Sequence, residues 1–281
     1  MPNLSVIIPT HKRPDTLKRC LGHLEAQENV EEIEVIVVSD GHNSATAELM
    51  ENGKWKMENK IKFFEIKKSQ QGVARNRGIR EAKSPICLII GDDIFLAPDA
   101  CKKHLDEHRR LSTFDFRPAV LGFTTWDPNL QITPVMKWLE KSGWQFGYTM
   151  IEKYAHQKIP KEIQHRFTYT SHISIPTDIA LKYPFKEDII LYGWEDIEWG
   201  ERLKKAGIPL YYNSEAKALH HHKITMKDSL KRMKTLGKSI SSFPNSERYP
   251  PKWKIMIYKL QALLPTMTGR HRKAFLQGMR K

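Results

Sequence analysis

The chain has 281 residues, of which 40% are apolar and 7 are Trp, so it can bury a sizeable core and is not a disordered polymer. No apolar run approaches the ~18 residues of a transmembrane helix, and Met1-Pro2-Asn3-Leu4-Ser5 lacks the basic-then-apolar start of a secretory signal. The net charge of +14 is uneven: residues 223–281 hold 15 Lys/Arg against Asp228 and Glu247, whereas residues 1–222 hold 31 Lys/Arg against 30 acidic side chains.

Along the chain, Leu4–Ile8 reads as a strand, and Pro14-Asp15 opens a helix with Leu17, Leu21 and Leu24 at helical spacing. Ile33–Val38 is a second buried strand ending at Ser39-Asp40-Gly41, and Ile61–Ile66 is a third. Gly72–Ala82 is helical and leads to Ile86-Cys87-Leu88-Ile89-Ile90, an apolar run bounded by Pro85 and Gly91. Strands alternating with helices predict a parallel sheet with right-handed crossovers, although no G-x-G-x-x-G follows the first strand. Pro98–Leu111 is a further helix, Ala119–Phe123 a strand and Thr133–Lys141 a short helix. Residues 142–170 are aromatic and mixed, which suits a substrate-facing region. Glu195–Ala206 is a helix closed by Gly207 and Pro209, and Leu210–Asn213 and Ala216–Leu219 are two short strands. In the tail, Thr225-Met226-Lys227-Asp228 has the form of a capping box before a helix marked by Leu230, Met233 and Ile240. Trp253, Met256, Ile257, Leu260 and Leu264 then mark one face of another. Cys20, Cys87 and Cys101 are odd in number and unpaired in spacing, which fits a reduced, cytoplasmic compartment.

Three clusters carry metal-ligand or acid–base chemistry. Asp92-Asp93 stands at the carboxyl end of a buried strand, where open α/β sheets bind ligands. Adjacent carboxylates stay ionised together near a cation or donor groups, and hard divalent ions take such ligands with substrate phosphates. Glu195-Asp196 lies in a helix's first turn, where acids also simply complement the macrodipole. His220-His221-His222 follows a strand; such histidines are either ligands or structural. Arg13, after the first strand, is placed to reach a diphosphate by forked hydrogen bonds. Asp40 is placed to accept from a base's ring N–H. Arg75, Arg77 and Arg80 form a basic helix start near the same edge, or a solvated face.

In order, Ser5-Val6-Ile7-Ile8-Pro9-Thr10, Val35–Gly41, Gly72-Val73-Ala74-Arg75-Asn76-Arg77-Gly78 and Gly91-Asp92-Asp93 resemble the nucleotide-sugar-binding half of family 2 inverting glycosyltransferases of the GT-A fold. Gly193-Trp194-Glu195-Asp196 resembles the acceptor-side G-W-E-D motif of bacterial members, and Ala218–His222 the strand end bearing a metal-binding histidine. The resemblance covers about residues 4–240. It implies an α/β GT-A domain over 1–222, with a nucleotide-sugar-binding half (1–111), an acceptor half (112–222) and a basic helical C-terminal extension over 223–281. It further implies that Pro9, Thr10, Asp40 and Arg75 hold the nucleotide, with Asp92 on the ribose or donor sugar. Asp93 and His220 would bind Mn²⁺ or Mg²⁺, Asp196 would be the general base, and Glu195 would place the acceptor beside Trp194. Two departures bear on donor identity: Ser39-Asp40 stands where an acidic pair is usual, and Gly91 where an acid often stands.

The implied activity is metal-dependent transfer of a sugar, most simply from a UDP-sugar, to a hydroxyl of a glycan or lipid-linked acceptor in cell-surface polysaccharide synthesis. The basic amphipathic tail reads as lying on an anionic membrane at the cytoplasmic face, or as packing its apolar stripe on the enzyme's own body. A nucleotidyltransferase of similar fold would need a lysine-containing loop after the first strand, which Lys12-Arg13 supplies only faintly. A nucleic-acid-binding protein using the basic tail would leave the carboxylates and histidines idle, so no nucleic-acid partner is expected.

Overall fold

The computed structural model describes residues 2–57, 60–112, 117–189, 193–240 and 249–279. The first four strands lie side by side and parallel: β1 (Leu4–Thr10) pairs with both β2 (Ile33–Asp40) and β4 (Ile86–Ile90), and β2 with β3 (Ile61–Ile66). Their crossovers are α1 (Pro14–Glu25), α2 (Ser44–Asn52) and α3 (Gln71–Glu81). Alternate strand residues enter two cores. Ile7, Ile36 and Ile89 point to one face, and Val6, Ile8, Val37, Leu88 and Ile90 to the other. Both faces are covered, which is why these strands read as unbroken apolar runs rather than alternating ones.

Beyond β4 come β8 (His172–Pro176), β6 (Ala119–Trp126), β9 (Leu210–His220) and β5 (Ile94–Leu96), giving the order β3-β2-β1-β4-β8-β6-β9-β5. The short β7 (Gln157–Lys158) pairs with β9. β8 runs antiparallel to both β4 and β6, and β5 antiparallel to β9; the longer ladders are the parallel ones. This is the mixed, mainly parallel α/β class expected. The pairing Ile94↔His220 has a functional consequence, because it returns the end of β9 to the end of β4.

Several elements differ from the sequence reading. Leu210–Asn213 and Ala216–Leu219 form one strand, not two. The register with β6 slips after Gly122↔Asn213, and the Asn213 side chain accepts from the N–H groups of Glu215 (3.0 Å) and Ala216 (3.3 Å). A polar residue thus bridges a bulge that looks like a break. The aromatic stretch 142–170 is built from short 3₁₀ turns around buried Phe146, Tyr148, Ile151 and Phe167. The remaining helices of the body are α4 (Ala100–Leu111), α5 (Pro134–Ser142), α6 (Thr177–Lys182) and α7 (Glu195–Lys205), the last followed by Gly207 at φ +78° as its stop.

The described residues of the tail form three helices, α8 (Met226–Ile240), α9 (Lys252–Gln261) and α10 (Met267–Met279). The expected capping box forms: Thr225 N–H donates to Asp228 at 3.1 Å, and Asp228 N–H to Thr225 Oγ1 at 3.2 Å. α8 and α10 touch backbone to backbone, since a Cβ on Gly237 or Gly278 would lie 2.0 Å from a carbonyl oxygen of the other helix. The ring of His271 of α10 packs on Trp138 of α5, centroids 4.4 Å apart and tilted by 33°, which fixes the pair to the body. The apolar stripe of α9 does not pack on the body; it faces solvent.

A polar network crosses the core between α4 and β8. His172 Nδ1 lies 3.2 Å from the Phe123 carbonyl, His104 Nε2 3.1 Å from His172 Nε2, and the Ser174 hydroxyl 2.8 Å from both His104 Nδ1 and His108 Nε2. One set of neutral tautomers satisfies every contact: His172 donates to the carbonyl, His104 to His172, Ser174 to His104 and His108 to Ser174. A proton added to His104 or His172 would turn an acceptor into a second donor. Burial accordingly drives His104 well down, His108 to about 3 and His172 to about 4. Because the folded values lie below the unfolded ~6.5, their contribution is complete above that pH and is lost as pH falls. Up to three protons bound on unfolding predict a stability loss of up to about 4 kcal/mol per pH unit near pH 5. Urea melts at a series of pH values between 7 and about 5 measure that slope; a flat profile would contradict the network.

Candidate active site

The site begins where β4 ends. Asp92 and Asp93 follow Gly91 into the crevice and are 3% and 8% exposed, so neither charge is solvated by water alone. Thr10, the last residue of β1, donates its hydroxyl to Asp92 at 2.7 Å. Arg13, just before α1, places Nη1 2.6 Å from Asp93 and 3.3 Å from Asp92. Burial pushes Asp92 up to about 6, with Arg13 opposing and Asp93 adding to the shift. Burial acts on Asp93 in the same sense, but hydrogen bonds from His220 and His222, with the Arg13 charge, hold it well below the usual carboxylate range.

The return of β9 supplies the histidines. His220 Nε2 is 3.4 Å and His222 Nδ1 3.2 Å from Asp93 Oδ2. Residues 220 and 222 share a side because extended chain alternates, and that alternation is the sequence signal that names His222 alongside His220. His221 points the other way, to Asp127 (2.6 Å) and Arg19 (2.6 Å), while its N–H donates to the Asp93 carbonyl at 2.7 Å. Asp127 and Arg19 thereby fix the turn that presents the two neighbours. No local pattern in the sequence marks either residue.

The ligand atoms of Asp93, His220 and His222 all lie within 4.8 Å of one another, a set that fits one divalent cation. His220 lies against Trp126 (5.3 Å), and its buried Nδ1 has no partner among the described residues. With the proton on Nδ1, the Nε2 lone pair faces Asp93 and is available to a metal.

Asp40 ends β2 in the same row of strand termini, since Thr10 is paired with Ser39. Its carboxylate binds Lys68 and accepts from the Ser69 N–H at 2.7 Å. Pro9 lies within β1 opposite Val38, one residue before Thr10.

A second group forms around the start of α7. Glu195 accepts from the Gly193 N–H at 2.9 Å and from Gln71, and lies 3.7 Å from Arg75. Gly193 has φ +117°, and a Cβ there would lie 2.1 Å from Leu236, so the turn before Trp194 requires glycine. Trp194 Nε1 donates to the Leu236 carbonyl of α8 at 3.1 Å. Arg75 is buried, with its guanidinium 5.4 Å from the centre of the Phe185 ring. It lies beside Glu195, a link between α3 and α7 that sequence spacing does not show. Asp196 lies beside Glu195, and burial, then the charge of Glu195, push it up to about 7. A carboxyl with that value exchanges a proton near neutrality, as a general base must.

Residues 5–173 match the family model described as Glycosyl transferase family 2. The chain belongs to this family. Over 234 residues this family 2 chain is 27% identical to validoxylamine A glucosyltransferase of Streptomyces hygroscopicus subsp. jinggangensis (strain 5008), covering 77% of the chain and 54% of that protein. It is 24% identical over 259 residues to the uncharacterized glycosyltransferase YfnE of Bacillus subtilis (strain 168), covering 77% and 64%. The chain thus spans about half the length of the first of these curated relatives. Among solved structures, the mannosyltransferase PcManGT from Pyrobaculum calidifontis, in complex with GDP-Man and Mn²⁺, superposes with a TM-score of 0.62 at 14% identity, covering 98% of this chain and 74% of that one. S. aureus TarS 1-349 in complex with UDP-GlcNAc gives 0.53 at 18% identity, covering 97% and 73%. These likenesses establish the GT-A fold.

The Arg75–Glu195 pair yields a stability prediction. Replacing Arg75 by Ala leaves Glu195 buried beside an uncompensated gap, and loss of about 3 kcal/mol is expected in urea melts. Arg75→Ala with Glu195→Gln should recover part of that loss.

Proposed function

We propose that the chain transfers a sugar from a nucleoside-diphosphate sugar, with UDP as the nucleotide, to a hydroxyl of a glycan or lipid-linked acceptor, with inversion, in cell-surface polysaccharide synthesis. The observation that carries the reading is the Asp93–His220–His222 cluster beside Arg13 and Asp92, in a family 2 chain with a neutral-range carboxyl at Asp196. In this reading Pro9, Thr10 and Asp40 line the nucleotide side, with Asp40 facing the base, and Asp92 meets the ribose or donor sugar. Asp93, His220 and His222 would hold Mn²⁺ or Mg²⁺. When bound, a divalent ion neutralises charge on the departing diphosphate. The Mn²⁺ and GDP-Man of the mannosyltransferase and the UDP-GlcNAc of TarS support a metal and a nucleotide-sugar donor as the ligand classes.

The chain's own groups do the remaining work. Arg13 swings from Asp93 to a diphosphate oxygen by the forked contact its guanidinium favours. Arg75, 3.7 Å from Glu195, helps to hold it in place, and Glu195 with Trp194 positions the acceptor hydroxyl. Asp196 takes the hydroxyl proton as the oxygen bonds to the anomeric carbon and the bond to the diphosphate breaks. With one base and no enzyme nucleophile in this scheme, a single displacement inverts the configuration.

Thermal shift and hydrolysis across a panel of nucleotide sugars, with and without Mn²⁺, test this directly. One donor with Mn²⁺ should raise the melting temperature by several degrees in the wild type and not in Asp93→Asn; no metal-dependent shift with any donor would overturn the reading. Asp196→Asn should retain donor binding and lose roughly 10²–10⁴-fold in transfer rate. Because Asp196 must be deprotonated and titrates at about 7, kcat should rise with pH to a plateau above neutrality and fall about tenfold per unit well below it. A pH–rate profile flat from about 5.5 to 8 would remove Asp196 as the base.

A further inference from the structure

The outer face of α9 is apolar, exposed and framed by one sign of charge. Trp253, Met256 and Leu260 are each 61% exposed, and Leu263 and Leu264 just beyond the helix are 80% and 54% exposed. At about 100° per residue, Trp253, Met256 and Leu260 stand roughly opposite Tyr258, the one buried residue of the helix. Lys252, Lys254 and Lys259 flank them on α9, and Arg270 and Lys273 of α10 are exposed as well. Residues 249–279 contain no Asp or Glu. An aqueous surface does not favour five large apolar side chains in one patch, so the face has a partner.

We infer that α9 and the turn after it dock on an anionic lipid surface, with the apolar stripe in the headgroup–acyl boundary and the surrounding lysines and arginines on lipid phosphates. Charge complementarity selects this occupant. A second copy of a chain with net charge +14 would bring like charges together around the stripe, whereas each basic residue near an anionic leaflet is attracted to it. No described helix is long and apolar enough to cross a membrane, so the contact would be peripheral.

The docking face is mechanically joined to the acceptor side. Tyr258 packs with Phe275 of α10 and Ile240 of α8, and the same cluster takes in Trp194 and Leu236. The stripe lies on the side of α9 away from that cluster. For a lipid-linked acceptor, docking would hold the enzyme at the surface that carries it; this clause alone rests on the function proposed above.

Co-flotation of the full chain with vesicles of phosphatidylglycerol and phosphatidylcholine, against phosphatidylcholine alone, tests the inference without donor or acceptor. The wild type should float with the anionic vesicles at low salt and much less with the zwitterionic ones. Leu260→Glu with Leu263→Glu should weaken partition at least tenfold at an unchanged melting temperature, since both side chains are exposed. Lys252→Glu with Lys254→Glu and Lys259→Glu should abolish the preference for anionic lipid. A wild type that stays at the bottom of the gradient overturns the inference, as does a dimer in sedimentation that Leu260→Glu dissociates. Donor thermal shift on the same variants keeps the outcomes separate, because it should be unchanged when flotation is lost. Asp196→Asn should float as the wild type does.

Discussion

Two adjacent carboxylates buried at the end of one strand impose most of the arrangement around them. Asp92 and Asp93 repel each other in a medium that screens poorly, so each needs its own donors. Thr10 and Arg13 arrive from the end of β1, and His220 and His222 from the end of β9. That second delivery depends on topology. β5 leaves the aspartates and pairs antiparallel with β9, and the His221 N–H closes the join on the Asp93 carbonyl. The chemistry proposed for the site uses groups the fold already needs in order to keep two negative charges there.

The first half of the sheet, β1 to β4, was legible because its physics is local. Unbroken runs such as Val35–Val38 and Cys87–Ile90 declare strands covered on both faces, and their carboxyl ends place Asp40 and Asp92-Asp93. The second half of the sheet, β5 to β9, was less legible because its determinants are distant in sequence. β8 carries His172 and Ser174 at fully buried positions, which no apolar pattern marks; they are tolerated because His104 and His108 meet them from a helix some seventy residues earlier. Asn213 disguised one strand as two by bonding to its own bulge. The pairing of Arg75 with Glu195 joins residues on α3 and α7, and the basic helix start around Arg75 gave no hint of it. His222 was recoverable from alternation past His220, and Asp127 was not recoverable from any local signal.

The basic extension packs on the turn before α7. Gly193 has no room for a side chain because Leu236 fills the space, and Trp194 hands its N–H to the Leu236 carbonyl. The backbone contact at Gly237 and Gly278 makes α8 and α10 one unit, and His271 and Arg272 hold that unit against Trp138 and Trp144. The sequence separated a neutral body from a basic tail by charge. Through Leu236 the tail also buttresses the turn carrying Trp194, Glu195 and Asp196, while the outer stripe of α9 is exposed among the described residues.

In the proposed reading, Asp93, His220 and His222 together hold a divalent ion beside the donor diphosphate. Anomalous diffraction from crystals grown with MnCl₂ and UDP measures this. A single strong manganese peak bonded to an Asp93 oxygen, His220 Nε2 and His222 Nδ1 is expected, with the Arg13 guanidinium moved from Asp93 to the diphosphate. A peak coordinated by Asp92 without either histidine, or UDP bound in the crevice with no manganese beside it, would contradict it.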